Sequence, residues 1–253
     1  MRWVRGAIIV AALLLLWQII VWVTGAPHFI LPGPARVAVA WWAHYPALFH
    51  HASITLLEIG LGLFFGVMLG CVSAIVLAYS RPARLWLMPV LVASQAVPVF
   101  AIAPILVLWL GYGIASKVAM ATLIIYFPVV ASFFDGLRRT EPNWIDLART
   151  MQASPWAILR HIRIPAALPS LASGIRVAAA VAPIGAVVGE WVGASAGLGY
   201  MMMHANGRMQ IDLMFAALLT LAVFAITIYF LLDVILRHMI PWQPDALLND
   251  RKT

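Results

Sequence analysis

Gly193-Ala194-Ser195-Ala196-Gly197 matches G-x-S-x-G, the pattern that sets a serine nucleophile on a strained turn between a strand and a helix. The residues ahead of it, Leu171–Val192, form an apolar run long enough to cross a bilayer as a helix, so the strand that the elbow needs is missing. An intramembrane serine protease would need a histidine at the depth of Ser195. His204 falls in the loop beyond the run, and His238 at the opposite end of the next one. His50-His51 lack further ligands at metal spacing and no H-E-x-x-H occurs, so no metal site is expected. The phosphate loop G-x-x-x-x-G-K-S/T is also missing, since Lys117 follows Ser116 and Lys252 follows Arg251. What remains is a set of polar groups inside apolar runs: Glu58, Gln95, Arg176 and Glu190. An ionisable group at membrane depth is a functional candidate by default.

The elements that must position these groups are membrane spans. Of 253 residues, 64% are hydrophobic and 10% charged, against about 25% charged in an ordinary soluble domain. Apolar runs occur at Ala7–Val23, Ile54–Tyr79, Leu85–Leu110, Val118–Phe134, Leu171–Val192 and Leu213–Leu236. None alternates with period two, so six helices are expected rather than barrel strands. Val23-Thr24-Gly25-Ala26-Pro27 is a poor cleavage site, so the first run is read as a retained helix rather than a signal peptide. With the N-terminus cytoplasmic, 13 of the 16 basic residues fall on the inner side, leaving Arg36, Lys117 and Arg208 outside. The positive-inside rule then places both termini in the cytoplasm. That placement, rather than nucleic-acid binding, accounts for the net charge of +7. The lone Cys71 lies in an apolar run and reads as a small core hydrophobe, which excludes a disulfide framework. The expected layout is a first helix and loop over 1–50, a membrane domain over 51–240, and a cytoplasmic tail over 241–253.

The loop over 138–164 is the longest and most charged inner segment. Asn143 is expected to cap a helix, with Asp146 near its positive end. Trp144, Ala148 and Met151 then share a face. Ser154 caps a second helix, with Pro155 at its first position and Trp156, Leu159 and Arg163 along one side. The bend falls at Gln152-Ala153, and Pro165 and Pro169 are expected to break the chain before the fifth span. Such an amphipathic pair either lies on lipid headgroups or docks a cytoplasmic protein.

Asp146-Leu147-Ala148-Arg149-Thr150-Met151-Gln152-Ala153-Ser154, followed by Ile164-Pro165 and Leu168-Pro169, resembles the EAA loop of ABC importer permeases. Ala101-Ile102-Ala103-Pro104, Leu108-Trp109-Leu110-Gly111 and Gly193–Tyr200 resemble the nitrate, sulfonate and taurine branch of that family. Ser94–Phe100 and Gly111–Lys117 resemble its thiamine-precursor (hydroxymethylpyrimidine) permeases. Three departures stand out: Asp146 for the family's first Glu, Leu147 for its first Ala, and Gln152 for its Gly. The resemblance implies an all-α, type I importer permease of the bacterial inner membrane. It implies a homodimer in lipid, coupled through Asp146, Leu147, Ala148, Arg149, Met151, Gln152, Ala153 and Ser154 to a separate cytoplasmic ATPase. That ATPase would use ATP and Mg2+; this chain would bind no cofactor. A periplasmic or lipid-anchored binding protein would deliver the solute.

For the pathway, the candidates are Gln95 and Pro98 in the broken third run, Glu190 near the outer mouth and open to solution, and Met202. The methionines Met201-Met202-Met203 either gate the pore or simply pack. Two readings from other classes remain, a secondary transporter and an intramembrane protease. The first should carry charges at mid-membrane, and few appear; the second needs a serine–histidine pair at one depth.

Overall fold

The computed structural model describes residues 2–242, with side chains from residue 4, and its regular structure is helical throughout that range. Residues 243–253, including Arg251 and Lys252, and the side chain of Arg2 lie outside the described residues. The helices are α1 (Arg2–Thr24), α2 (Pro34–Ala43), α3 (Tyr45–Tyr79), α4 (Arg81–Ser94), α5 (Val99–Leu110), α6 (Ile114–Arg138), α7 (Pro142–Thr150), α8 (Pro155–Ile158), α9 (Ile164–Gly193), α10 (Leu198–Gly207) and α11 (Ile211–Met239). A five-residue π-turn, Leu159–Arg163, joins α8 to α9.

Among the described residues five helices are long and apolar enough to cross a membrane, and α4 with α5 makes a sixth if the bent pair is one span. The packing decides that question. Along α3, Gly62 meets Ala121, Gly66 meets Ile125 and Gly70 meets Val129 of α6. Both series ascend, so α3 and α6 run parallel, and α4–α5 must return the chain across the bilayer between them. The glycines let the two backbones approach, as in small-xxx-small helix pairs. A methyl at Gly66 would sit 2.5 Å from Ile125 Cγ2. Along α9 the order reverses. Gly174 meets Ser132, Gly185 meets Ala121 and Gly189 meets Lys117, so α9 is antiparallel to α6. Trp17 stacks on Phe215, and Leu14 shares a crevice with Leu219, so α1 is antiparallel to α11. Six crossings follow, with the 138–164 loop and both described chain ends on one side. Arg36, Lys117 and Arg208 lie at the far end.

The third span is not a single kinked helix. α4 and α5 meet at 101° across Gln95–Pro98. Pro98 has no N–H to continue the ladder and takes an extended conformation at the start of α5. The expected break at Pro165 and Pro169 does not occur: Pro155–Gly193 runs as one helical rod of 39 residues. In the π-turn, Ile164 N–H reaches back five residues to the Leu159 carbonyl. This wider turn relieves the contact that the Pro165 ring would otherwise make with the carbonyl four residues before it. The α7 cap also shifts. Pro142 at the first helical position starts the helix after Glu141. Asn143 lies inside it and donates its amide to Glu141 Oε1 at 3.2 Å.

Candidate functional site

At the loop end, α7 is a short helix whose apolar side, with Trp144, Leu147, Ala148 and Met151, borders a groove. Ala148 is buried, while Leu147 and Met151 are 63% and 75% exposed. Leu147 therefore adds its bulk at the exposed rim of a groove that Ala148 also lines. Asp146 and Arg149 form an exposed ion pair at 3.2 Å. The bend after α7 is as sharp as the glycine pattern demands. Gln152 has φ +57°, in the left-handed region. Ala153 N–H reaches the Ala148 carbonyl at 3.0 Å and Gln152 N–H the Arg149 carbonyl at 2.9 Å, the two bonds of a Schellman motif. Ser154 then caps α8, its Oγ accepting from Ala157 N–H at 3.2 Å. Arg163 donates to the Leu137 carbonyl at 2.8 and 3.1 Å, fastening the π-turn to the last turn of α6. Between α7 and the start of α9 lies a groove of about 850 Å³, walled by Trp144, Leu147, Met151, Ile162, Pro165 and Trp242.

At the far end, Glu190 is not open to solution. It is 1% exposed, and its carboxylate occupies the N-terminus of α10. Oε2 accepts from the N–H groups of Gly199 and Tyr200, and Oε1 accepts from Thr55 Oγ1 at 2.6 Å. Thr55 Oγ1 in turn accepts from Leu198 N–H at 2.8 Å, and His51 Nδ1 accepts from Gly197 N–H at 3.0 Å. Four successive backbone donors, which a helix start leaves without intrahelical partners, are thus satisfied by side chains from α3 and α9. A carboxylate there also complements the helix dipole. Gly197, at φ +115°, makes room for it: a Cβ at that position would fall 2.2 Å from Glu190 Cδ.

Lys117 does the converse for the end of α9. Its Nζ donates to the carbonyls of Gly193 and Gly113, each at 2.9 Å, and to that of Tyr112. Glu58 is buried against Glu190, and its Oε2 has no hydrogen-bond partner among the described residues.

Met202 is likewise interior. It packs with Val37, Leu48, Leu198 and Leu221, because the fixed start of α10 turns positions 198, 201, 202 and 205 inward. Ser195 is exposed and has no histidine partner among the described residues, and His204 lies within 3.3 Å of the Tyr200 hydroxyl. No group of three or more metal-ligating side chains occurs among the described residues. Gln95 and Pro98 lie on the surface at the α4–α5 break, next to exposed Val97 and Phe100. The Gln95 amide donates only to Ser94 Oγ, at 3.4 Å, among the described residues.

The sequence context of Thr55 and Lys117 carries no site signal by itself, and His51 is weighed there only as a metal ligand. A signal for His51 and Thr55 together exists. His51, Thr55 and Glu58 fall at i, i+4 and i+7, a polar stripe on one face of an apolar helix.

Comparison with known proteins matches residues 62–243 to the binding-protein-dependent transport system inner membrane component. A probable ABC transporter permease protein of Haemophilus influenzae is 53% identical over 94% of this chain and 98% of its own length. The riboflavin transport system permease of Chloroflexus aurantiacus is 38% identical, over 91% and 87%. The formylaminopyrimidine transport permease of Halalkalibacterium halodurans is 34% identical, over 91% and 92%. The fold is also that of a chain in the inward-facing MetNI methionine ABC transporter, with a TM-score of 0.66, 22% identity, and coverage of 78% of this chain and 97% of that one. The chain belongs to the binding-protein-dependent inner-membrane components, the permease subunits of ABC importers, in which ATP hydrolysis is left to a separate ATPase.

Proposed function

We propose that two copies of this chain form the membrane channel of an importer for a thiamine-precursor pyrimidine, with the 138–164 loop and both termini cytoplasmic. The loop carries the basic side chains that the positive-inside rule assigns to the cytoplasm. α7 is the element that a cytoplasmic ATPase grips, with ATP and Mg2+ held by that partner. One observation carries this reading. The groove side of α7 exposes Trp144, Leu147 and Met151, and its sharp turn leads directly into the 39-residue rod that crosses the bilayer. A binding protein hands the solute over at the far end, and the surface-exposed break at Gln95–Pro98 lines the path between protomers.

Two sequence relatives bear on the solute, one named for riboflavin and one for formylaminopyrimidine, both nitrogen heterocycles. An uncharged amide such as Gln95 suits a neutral, hydrogen-bonding ring better than a fixed charge would. Met151→Glu tests the docking. The ATPase should no longer co-purify with the permease, because the new carboxylate would be desolvated at a cost of a few kcal/mol. Full ATPase recovery would refute the assignment of α7. Uptake of labelled hydroxymethylpyrimidine by cells expressing the complete system, competed by riboflavin or by taurine, tests the solute. Uptake of labelled taurine with none of the labelled pyrimidine would refute the pyrimidine.

A further inference from the structure

At the loop end, α4 and α6 border a second groove, of about 810 Å³. Its mouth carries Arg84 from the first turn of α4 and Arg138 from the last turn of α6. Its walls are apolar: Leu85, Met88, Val92 and Phe134. Arg138 is held over the face of Phe134, 5.5 Å from the ring centroid. Arg163 stands close enough to Arg84 for the two to repel, yet its guanidinium is committed to the Leu137 carbonyl. Neither Arg84 nor Arg138 has an ion-pair partner among the described residues. Arg84 and Arg138 thus share this rim without an ion pair, Asp135 of α6 making none with Arg138 among the described residues, and such a rim calls for an anion.

The geometry says what kind. From Arg84 to Val92 is eight residues of helix, about 12 Å, close to the half-thickness of a hydrocarbon core of about 30 Å. A cationic rim over an apolar slot of that depth matches a phosphodiester headgroup with its acyl chains. Basic pockets between spans on the cytoplasmic side recognise such lipids.

We infer that the α4–α6 groove is a binding site for an anionic phospholipid, with Arg84 and Arg138 on its phosphate and Leu85, Met88 and Val92 along its chains. Charge complementarity favours a lipid over a second copy of this chain, which would have to bring its own carboxylate to a groove with apolar walls.

The test uses the permease–ATPase complex in phosphatidylcholine nanodiscs containing a minority of phosphatidylglycerol. After extraction in mild detergent, co-purifying lipid is measured by mass spectrometry. The wild-type complex should retain phosphatidylglycerol in preference to phosphatidylcholine. Arg84→Gln and Arg138→Gln should each cut that preference about fivefold, and the pair about 25-fold, at the usual strength of an arginine near an anionic surface. Arg160→Gln, at an exposed arginine outside the groove, should leave it unchanged. Equal loss in Arg160→Gln would reduce the effect to diffuse surface charge and overturn the site, as would unchanged retention in the double variant. Stripping of the lipid by inorganic phosphate alone would show an anion site without lipid selectivity. A disulfide between two copies carrying Met88→Cys, in a Cys71→Ser background, would give the groove to a second protomer. Either result overturns the proposal.

Discussion

Gln152 gives the sharpest test of the loop geometry. A non-glycine residue in the left-handed region costs about 1–2 kcal/mol, and Gln152 sits there at φ +57°. Its side chain is exposed, so Gln152→Gly gives up no packing. The variant chain is more flexible when unfolded, which returns about 0.4–1 kcal/mol of the gain. The net stabilisation is about 0.7 kcal/mol, or roughly threefold in a local opening equilibrium. It should appear at the amide that closes the turn. Hydrogen exchange at Ala153, whose N–H bonds the Ala148 carbonyl, should slow about threefold in the intact complex. Gln152→Val should speed it, because a β-branched side chain fits this region worst. Faster exchange in Gln152→Gly would mean that position 152 is ordinary helix, where glycine costs about 1 kcal/mol, and would refute the Schellman turn.

Thr55→Val removes the hydroxyl that joins Leu198 N–H to Glu190, leaving two buried polar groups short of a partner. A loss of about 3 kcal/mol is expected, read as a lower unfolding temperature of the purified complex and recovered in Thr55→Ser. Gly66→Ala should cost about 1–3 kcal/mol by driving α3 off Ile125, while Gly60→Ala, where a Cβ meets nothing within 4 Å, should be neutral by the same measurement. In a Cys71→Ser background, Gln95→Cys and Ser195→Cys should react with a thiol reagent in detergent and Glu190→Cys should not. Equal labelling at 190 and 195 would show that the α10 cap is open.

The spans were legible because lipid imposes one rule on every residue of a run, and hydropathy reads that rule locally. The Gln152 bend was legible for a similar reason, since a helix followed by Ser154-Pro155 has little freedom in where it turns. Proline was a poorer guide. Pro98 ends a helix and Pro165 does not, because the latter follows a π-turn whose i−5 bond no local pattern announces. Glu190 was placed at the right end of the right span and given the wrong surroundings. Its hydroxyl partner Thr55 lies 135 positions away, and the amides it holds belong to the start of α10, a segment legible only as a motif. Gly62, Gly66 and Gly70 formed a visible three-step series, yet their partners on α6 become evident only when the two helices are seen to be parallel.

That parallel pairing sets a timetable for assembly. Gly70 and Val129, which close the contact, are 59 positions apart, with the whole α4–α5 crossing between them. At about 5–20 residues per second, the glycine face of α3 waits roughly 3–12 s after synthesis before its partner emerges. During that interval it lies open to lipid or to the insertion machinery. The α4–α5 crossing must therefore insert beside α3 without filling that face, and its near right-angle bend at Gln95–Pro98 keeps it from lying along α3 as a straight rival helix would.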